Sequence, residues 1–296
     1  MSWTERRSTW ALHLTVVVFG FTGVLGKLIT LPAVPLVFWR CAIGAAALSV
    51  WLLLSRKLKL ISGADRWRVG ATGVLVALHW AAFFHAIKVS NVSVALATLS
   101  TVPLFVAVIE PALNRRWPDL RELALGAVAI AALLLIFDVS PGSGAGIFWA
   151  LLASVLAATF SVLNARWVKR QDALNISRLE LSVAFVAIGL IALSTGSFQI
   201  PNPADWIWLI LLGVVATALA FVVAVQVVKV LSPFTLAIAT TLEPVYAIIL
   251  ALLIFGENEQ MNGGFYAGVA VLVATVMGDA LIRRRQRISR RPRHLR

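Results

Sequence analysis

The chain has 296 residues, of which 60% are hydrophobic, and its mean hydropathy is +0.91. This apolar fraction is more than a water-soluble domain of that length can bury, which excludes a soluble enzyme or binding module. The formal net charge of +13 would fit a nucleic-acid-binding protein, but the basic residues lie between apolar segments rather than in one patch. The single cysteine, Cys41, excludes an intramolecular disulfide bond and a cysteine-based metal site.

Ten apolar segments follow one another along the chain, each close to the roughly 20 residues that a helix needs to cross a bilayer. Because lipid offers no hydrogen-bond partner to backbone groups, these segments are predicted to be helices. We therefore expect an all-α polytopic membrane protein with ten transmembrane helices. The predicted spans are residues 9–30, 34–55, 67–88, 93–113, 120–138, 145–165, 178–197, 205–229, 234–254 and 263–283.

Lysine and arginine residues favour one side of this arrangement. With the N-terminus in the cytoplasm, every one of them lies on the cytoplasmic side except Lys27, Lys88 and Arg40, the last within the second span. Positive residues accumulate in cytoplasmic loops, so both termini are predicted to be cytoplasmic and the protein to be a multi-pass protein of the cell's inner (plasma) membrane. The basic tail, residues 284–296, is predicted to contact anionic lipid headgroups rather than nucleic acid.

The two halves of the chain share a pattern at a constant offset of 141 residues. A Lys-Val pair at 88–89 precedes an apolar segment that contains Pro103, and the pair at 229–230 precedes one that contains Pro244. Five spans per half is an odd number, so the second half must enter the bilayer upside down. Such inverted repeats are typical of secondary transporters, which bind substrate near the bilayer midplane between the halves. The predicted repeats are residues 9–138 and 145–283.

Several motifs in these spans resemble a known family. They are Pro103 in the fourth span, the run Ala239-Thr240-Thr241-Leu242-Glu243-Pro244-Val245 in the ninth, the closing Phe255-Gly256-Glu257, and Arg40 five residues after Pro35. The pattern resembles the paired EamA domains of the drug/metabolite transporter superfamily over about residues 9–283, although Arg115-Arg116 replaces the usual glycine-glutamate of the first repeat. The resemblance implies two inverted five-helix repeats and gradient-linked export or exchange of small metabolites, often amino acids.

Two adjacent residues, His79 and Trp80, lie at the centre of the predicted third span. Ionisable groups at that depth cost on the order of 2–3 kcal/mol, so they normally face a cavity or a partner. An imidazole changes charge near neutral pH, which suits a proton carrier, and an indole can stack on a substrate ring or cover a cation. The alternatives are a histidine hydrogen-bonded to a neighbouring helix and a tryptophan that only packs. Neighbours on a helix point roughly 100° apart, so the two are not expected to line one surface together.

Glu243, halfway along the predicted ninth span, is the strongest single candidate for a site residue. The membrane interior disfavours a bare carboxylate, so this group can take up a proton from one side and release it to the other. Pro244 removes a backbone donor and is expected to bend the helix beside it. Thr240 and Tyr246 share its helix face. The alternative is a structural acceptor for a hydroxyl group or a helix terminus.

Other polar residues lie at similar depths. Ser100 and Thr101 offer hydroxyl groups beside Pro103 in the fourth span, and Asn164 lies in the sixth. Small hydroxyl-bearing residues usually form helix contacts in membranes, which is the favoured interpretation for most of them. Arg40 is predicted to snorkel to the outer interface, with a substrate carboxylate or an acidic partner as the alternatives.

Acidic residues near predicted span ends receive lesser roles. Glu110 is a candidate inner gate with Arg115 or Arg166. The remaining ones are expected to be solvated: Asp138, Glu180 and Asp279.

The sequence contains no metal-binding cluster, no nucleophile with a base and no P-loop, so we expect neither an enzyme nor a cofactor or metal. The expected function is a secondary active transporter that moves a small metabolite, an amino acid or a similar amphiphile, by alternating access, as an exporter or exchanger. The expected partners are the substrate, the lipid bilayer and protons as the candidate coupling ion, with no obligate protein partner. An exporter of drugs, cationic amphiphiles or nucleosides stays open, as does, from another class, a membrane enzyme or a channel, although the spans lack a continuous polar lining.

Overall fold

The structure is a computed structural model that describes residues 3–137, 144–255 and 263–290. Within these ranges every regular element is helical, which confirms the all-α prediction. Asp138, most of the predicted linker at 141–144, the linker at 256–259 and the end of the basic tail lie outside the described residues. The helices are α1 (Glu5–Leu28), α2 (Ala33–Leu54), α3 (Gly63–Val89), α4 (Val92–Leu99), α5 (Val102–Leu113), α6 (Leu120–Phe137), α7 (Gly144–Trp167), α8 (Ala173–Ser194), α9 (Asp205–Ile210), α10 (Ala220–Val227), α11 (Pro233–Thr240), α12 (Glu243–Phe255) and α13 (Gly263–Arg290).

Seven helices in the described part of the chain are long and apolar enough to cross a bilayer. Five of them are the unbroken helices α1, α2, α3, α7 and α8. The other two are Val94–Leu113, which combines α4 and α5, and Asp205–Val227, which combines α9 and α10 through a π-helical segment, Leu211–Leu219. The predicted fifth, ninth and tenth spans correspond to α6, α11–α12 and α13, so the count of ten stays a prediction.

Two helices are interrupted at corresponding places. α4 ends at Leu99 and α5 begins at Val102, while α11 ends at Thr240 and α12 begins at Glu243, and both boundaries differ by 141 residues. Pro103 and Pro244 therefore lie second in α5 and α12, where a helix needs no backbone donor. The interruption precedes each proline instead of following it, because the ring restricts the residue before it and is tolerated in a first turn.

The starts of α4 and α11 are capped in the same way. The Asn91 side-chain oxygen accepts a hydrogen bond from the Val94 backbone N–H over 2.7 Å. At an offset of 141, the Ser232 hydroxyl accepts one from the Thr235 backbone N–H over 3.0 Å. Each cap satisfies one of the orphan donors of a helix N-terminus.

Helix contacts come in pairs that exchange when the two halves of the chain are exchanged. At the offset of 141, α1 corresponds to α7, α2 to α8, α3 to α9–α10, α5 to α12, and α6 to α13. α3 packs on α7, and α1 packs on the π-helical segment and α10; α5 packs on α7, and α12 packs on α1. α2 packs on α8 and α6 on α13, so these helices pair with their own counterparts.

Two glycines allow close crossings at the centre of the bundle. A Cβ atom on Gly73 of α3 would lie 2.7 Å from the carbonyl oxygen of Glu180 and 2.9 Å from its Cα, on α8. A Cβ atom on Gly213 of the π-helical segment would lie 2.6 Å from the Ile43 side chain and 3.3 Å from the Arg40 carbonyl oxygen, on α2. Glycine at a helix interface lets backbones approach closely. The two crossings are 140 residues apart on both partners, so Arg40 and Glu180 occupy equivalent places.

Polar contacts at the two ends of the bundle tie the connections together. Where α1 ends, Thr30 donates to the Asp205 carboxylate from its backbone N–H over 2.9 Å and from its hydroxyl over 2.7 Å. At the opposite end, where α3 begins, Asp65 lies 3.9 Å from Arg170. These contacts leave the middle of the bundle to the buried polar residues described next.

Candidate functional site

A cavity lies between helices of both halves, in the middle of the bundle. Counted as the space open to the centre of a water molecule, its volume is about 120 Å³. One water needs roughly 10–15 Å³ of such space, so the cavity has room for a small metabolite. Its polar lining is Thr22, Arg40, His79, Ser161, Asn164, Thr240 and Glu243, and its aromatic lining is Phe19, Trp80, Phe83, Phe160 and Phe221.

Arg40 is the permanent positive charge of this cavity. The residue is 1% exposed, so the expectation that it snorkels to the interface was wrong. Its Nε donates to the Thr217 hydroxyl over 2.9 Å, and its guanidinium carbon lies 4.0 Å from the centre of the Trp80 ring. These contacts replace water, and the close crossing at Gly213 makes them reachable. Nη1 has no hydrogen-bond partner among the described residues, so the guanidinium has a donor left for a ligand.

His79 and Trp80 both line the cavity, contrary to the expectation that adjacent residues would not share one surface. The cavity is wide enough to span the arc between them. His79 Nδ1 donates to the Ala153 carbonyl oxygen over 2.8 Å. A carbonyl oxygen only accepts, which assigns the hydrogen to Nδ1. The ring lies edge-to-face with Phe160 at 5.3 Å, while the Trp80 ring covers Arg40.

Glu243 is the first residue of α12, immediately after the helix interruption, and it lines the cavity. Within the described residues it makes no ion pair, and it is 8% exposed. The N-terminus of a helix favours a negative charge, so the interruption supports a carboxylate at this place. Thr240 lines the same cavity, although its hydroxyl donates to the Ala237 carbonyl oxygen over 2.8 Å.

Asn164 lines the cavity and connects it to a second acid. Its Nδ2 donates to Glu180 Oε2 over 3.3 Å, and Glu180 is 0% exposed. The expectation that Glu180 is solvated was wrong. α8 begins at Ala173, five residues before the predicted start of that span at 178, so Glu180 lies a turn and a half deeper. Gly73 also packs against its backbone.

The other predicted site residues lie outside the cavity lining. The Ser100 and Thr101 hydroxyls donate to the carbonyl oxygens of Leu96 and Thr98, at 3.2 and 2.8 Å, where α4 ends. Tyr246 packs against α1, where a Cβ atom on Gly20 would lie 3.0 Å from the Tyr246 Cβ. Pro103 and Pro244 form the first turns after the interruptions.

The inner gate has a different partner from those expected. Glu110 lies 3.4 Å from Arg116, whereas Arg166 donates to the Leu113 carbonyl oxygen and the Asn114 side chain. The tight turn after α5 turns the Arg115 backbone away, with a φ of 52°.

Thr217 and the aromatic lining were absent from the sequence-based candidates. Thr217 lies in the π-helical segment, where its hydroxyl donates to the Leu212 carbonyl oxygen five residues earlier over 2.7 Å. π-helical turns often occur at functional sites. The available signal was weak: one hydroxyl in the run Leu211–Leu219, with no charge beside it.

The fold and the cavity define a polytopic helical membrane protein with a small, charged and aromatic binding cavity between its halves. A profile of the EamA-like transporter family matches residues 8–138 and again residues 144–278. The chain belongs to the EamA-like transporter family, and it is a membrane transporter.

Two further proteins are similar along nearly their whole length. One is the uncharacterized transporter YxxF of Bacillus subtilis (strain 168), at 22% identity over 94% of this chain and 93% of that protein. The other is a crystal structure with a TM-score of 0.72 and 17% identity, covering 93% of this chain and 97% of the other. At that identity the second likeness shows the fold alone.

Proposed function

We propose that this transporter is a secondary active carrier of amino acids or closely similar zwitterionic amphiphiles, which it exports or exchanges across the inner membrane by alternating access. The single observation that carries the proposal is that one cavity contains both Arg40 and Glu243 among aromatic walls.

Arg40 is the group for the substrate carboxylate. A guanidinium group binds carboxylates with directed hydrogen bonds, and Nη1 has no other partner among the described residues. Thr217 and Trp80 hold the side chain on its other faces, so it needs little reorganisation to bind.

Glu243 is the group for the substrate ammonium. When the ammonium leaves, a proton is the natural replacement, because a carboxylate at this depth needs a compensating positive charge. This exchange would couple proton entry to substrate exit. The aromatic walls suit an apolar side chain, as ligand pockets generally combine apolar surface with a few polar anchors.

The same two charges weigh against the alternative substrates. A cationic amphiphile would pair with Glu243 and stack on aromatic rings, but it would lie beside the fixed positive charge of Arg40. A nucleoside has no carboxylate for that arginine and would leave its buried donor unpaired.

Inverted repeats are the proposed basis of alternating access. Three observations support them: the helix interruptions 141 residues apart, the exchanged helix contacts and the two copies of the family profile. In such transporters one repeat moves against the other around a site between them.

Counterflow in proteoliposomes tests the proposed substrate class. The panel contains an apolar amino acid, its amine without the carboxylate, its acid without the amine, a nucleoside and a cationic amphiphile. We expect exchange of the amino acid alone. Exchange of the nucleoside or the cationic amphiphile in its place would overturn the proposal.

Arg40→Gln is the matching variant. Losing one charged hydrogen bond costs roughly 1.5–3 kcal/mol, so amino-acid affinity should fall about 10- to 100-fold while affinity for the amine changes little. Lys229→Gln removes an exposed cation outside the cavity and serves as the control. An equal loss for the amine and the amino acid would contradict carboxylate binding by Arg40.

A further inference from the structure

Two buried oxygen atoms beside the cavity have no hydrogen-bond partner among the described residues. They are Asn164 Oδ1 and Glu180 Oε1. The two side chains already share one hydrogen bond, from Asn164 Nδ2 to Glu180 Oε2. An amide and a carboxylic acid can close a ring of two hydrogen bonds, but the second bond needs a hydrogen on the acid. The structure thus has one half of such a ring and two acceptors where the other half belongs.

The surroundings of Glu180 do not compensate a negative charge. The residue is fully buried and forms no ion pair within the described part of the chain. α8 packs against α2, α3 and α10. The ionisable residues of these helices and of α7 are Arg40, held by Thr217 and Trp80, Cys41, His79, held by Ala153, Arg166, held by Leu113, and the residues at the two ends of α3, with none on α10.

A buried carboxylate without a partner is far more costly than the neutral acid. The neutral acid also supplies the missing donor, so one proton satisfies both unpaired oxygens.

We propose that Asn164 and Glu180 form a binding site for one proton, in which Glu180 Oε1 donates to Asn164 Oδ1, and that this proton is exchanged during transport. The inference rests on the proposed transport function and adds a second proton site to the exchange at Glu243. Its link to the substrate is Asn164, which lines the cavity.

A substrate that hydrogen-bonds to Asn164 competes with Glu180 for the same amide. By linkage, substrate binding then weakens proton binding at the pair, and protonation weakens substrate binding. In the exchange step the O–H bond of Glu180 breaks, its electron pair stays on the carboxylate, and cavity water accepts the proton. The reverse step restores the acid after the substrate leaves.

The site belongs to the second half alone. The equivalent place in the first half is occupied by Arg40, whose charge is permanent at any physiological pH. The two halves therefore place a fixed charge and a titratable group at equivalent crossings.

Infrared difference spectroscopy of the full-length protein at neutral pH tests the protonation directly, without substrate. Subtracting the Glu180→Gln spectrum from the wild-type spectrum should reveal the carbonyl stretch of a protonated carboxylic acid. Glu110→Gln, which changes an exposed glutamate paired with Arg116, should reveal carboxylate bands instead. Carboxylate bands for Glu180, or bands that respond to Na⁺ rather than to pH, would overturn the proposal.

A second variant keeps the test open if Glu180→Gln fails to fold. Asn164→Ala leaves the acid in place and removes its partner, so the acid band should shift in frequency without disappearing. An unshifted band would overturn the proposed pair. Proton release on substrate binding, followed with a pH indicator, should be smaller in Glu180→Gln than in wild type. An acid band without amino-acid counterflow would reject the proposed substrate and leave the proton site standing.

Discussion

At the scale of single residues, Arg40 and Glu243 are held in different ways. Arg40 is enclosed, with the Thr217 hydroxyl and the Trp80 ring in place of water. Glu243 has no such partner and depends on the start of α12 and on the cavity. The sequence identified both residues from their depth alone, but it could not say what surrounds them.

Trp80→Leu should lower both stability and substrate affinity. A desolvated cation–π contact is worth about 2 kcal/mol, and leucine offers no ring to the guanidinium group. Thermal unfolding in detergent and counterflow affinity measure the two effects. Trp10→Leu changes a largely exposed tryptophan and is the control. Equal shifts in both variants would mean that the contact with Arg40 contributes nothing.

Glu243→Gln should abolish flux driven by a pH gradient while counterflow exchange persists, because glutamine cannot bind and release a proton. The measurement is amino-acid efflux from proteoliposomes with and without a pH step. Unchanged gradient-driven flux would sink the coupling role of Glu243.

The coupling role predicted for His79 needs its own variant. If the imidazole carries a proton, His79→Gln should alter the pH profile of transport. A profile identical to wild type would remove His79 from the coupling path and leave it as a cavity wall anchored to Ala153.

At the scale of helices, the interruptions and the glycine crossings decide where side chains end up. The sequence placed Pro103 and Pro244 correctly in matching positions, but the bend precedes the prolines. The fourth span and the long unbroken spans were predictable from length and hydropathy. The crossing partners were not, because they depend on which glycine meets which backbone.

Gly73→Ala should destabilise the bundle by about 1–3 kcal/mol, since its Cβ would lie 2.7 Å from the carbonyl oxygen of Glu180 and backbone cannot easily give way. The control is Gly70→Ala, one turn earlier on the same helix, where the nearest atom is 3.7 Å away. Thermal midpoints in detergent compare them. A Gly70→Ala variant at least as destabilised as Gly73→Ala would contradict the crossing.

At the scale of the whole molecule, the exchanged contacts between halves predict an inverted arrangement with both termini in the cytoplasm. In a background carrying Cys41→Ala, Lys59→Cys should react with a membrane-impermeant maleimide only from the cytoplasmic side. Gln199→Cys should react only from the outside. Both positions are exposed and lie at opposite ends of the predicted bundle. Labelling of both from one side of intact cells would rule out the predicted topology.

The sequence by itself determined the solvent, the helical class and the family, because long apolar segments without hydrogen-bond partners in lipid have few ways to fold. It also indicated most of the polar residues that line the cavity, since a charged group at mid-depth is too costly to face lipid. Only the tertiary structure decided that Arg40 turns inward, that Glu180 is buried beside Asn164, and that both lie at equivalent glycine crossings. Those outcomes depend on contacts between residues about 16 to 180 positions apart, and no local pattern encodes which backbones will meet.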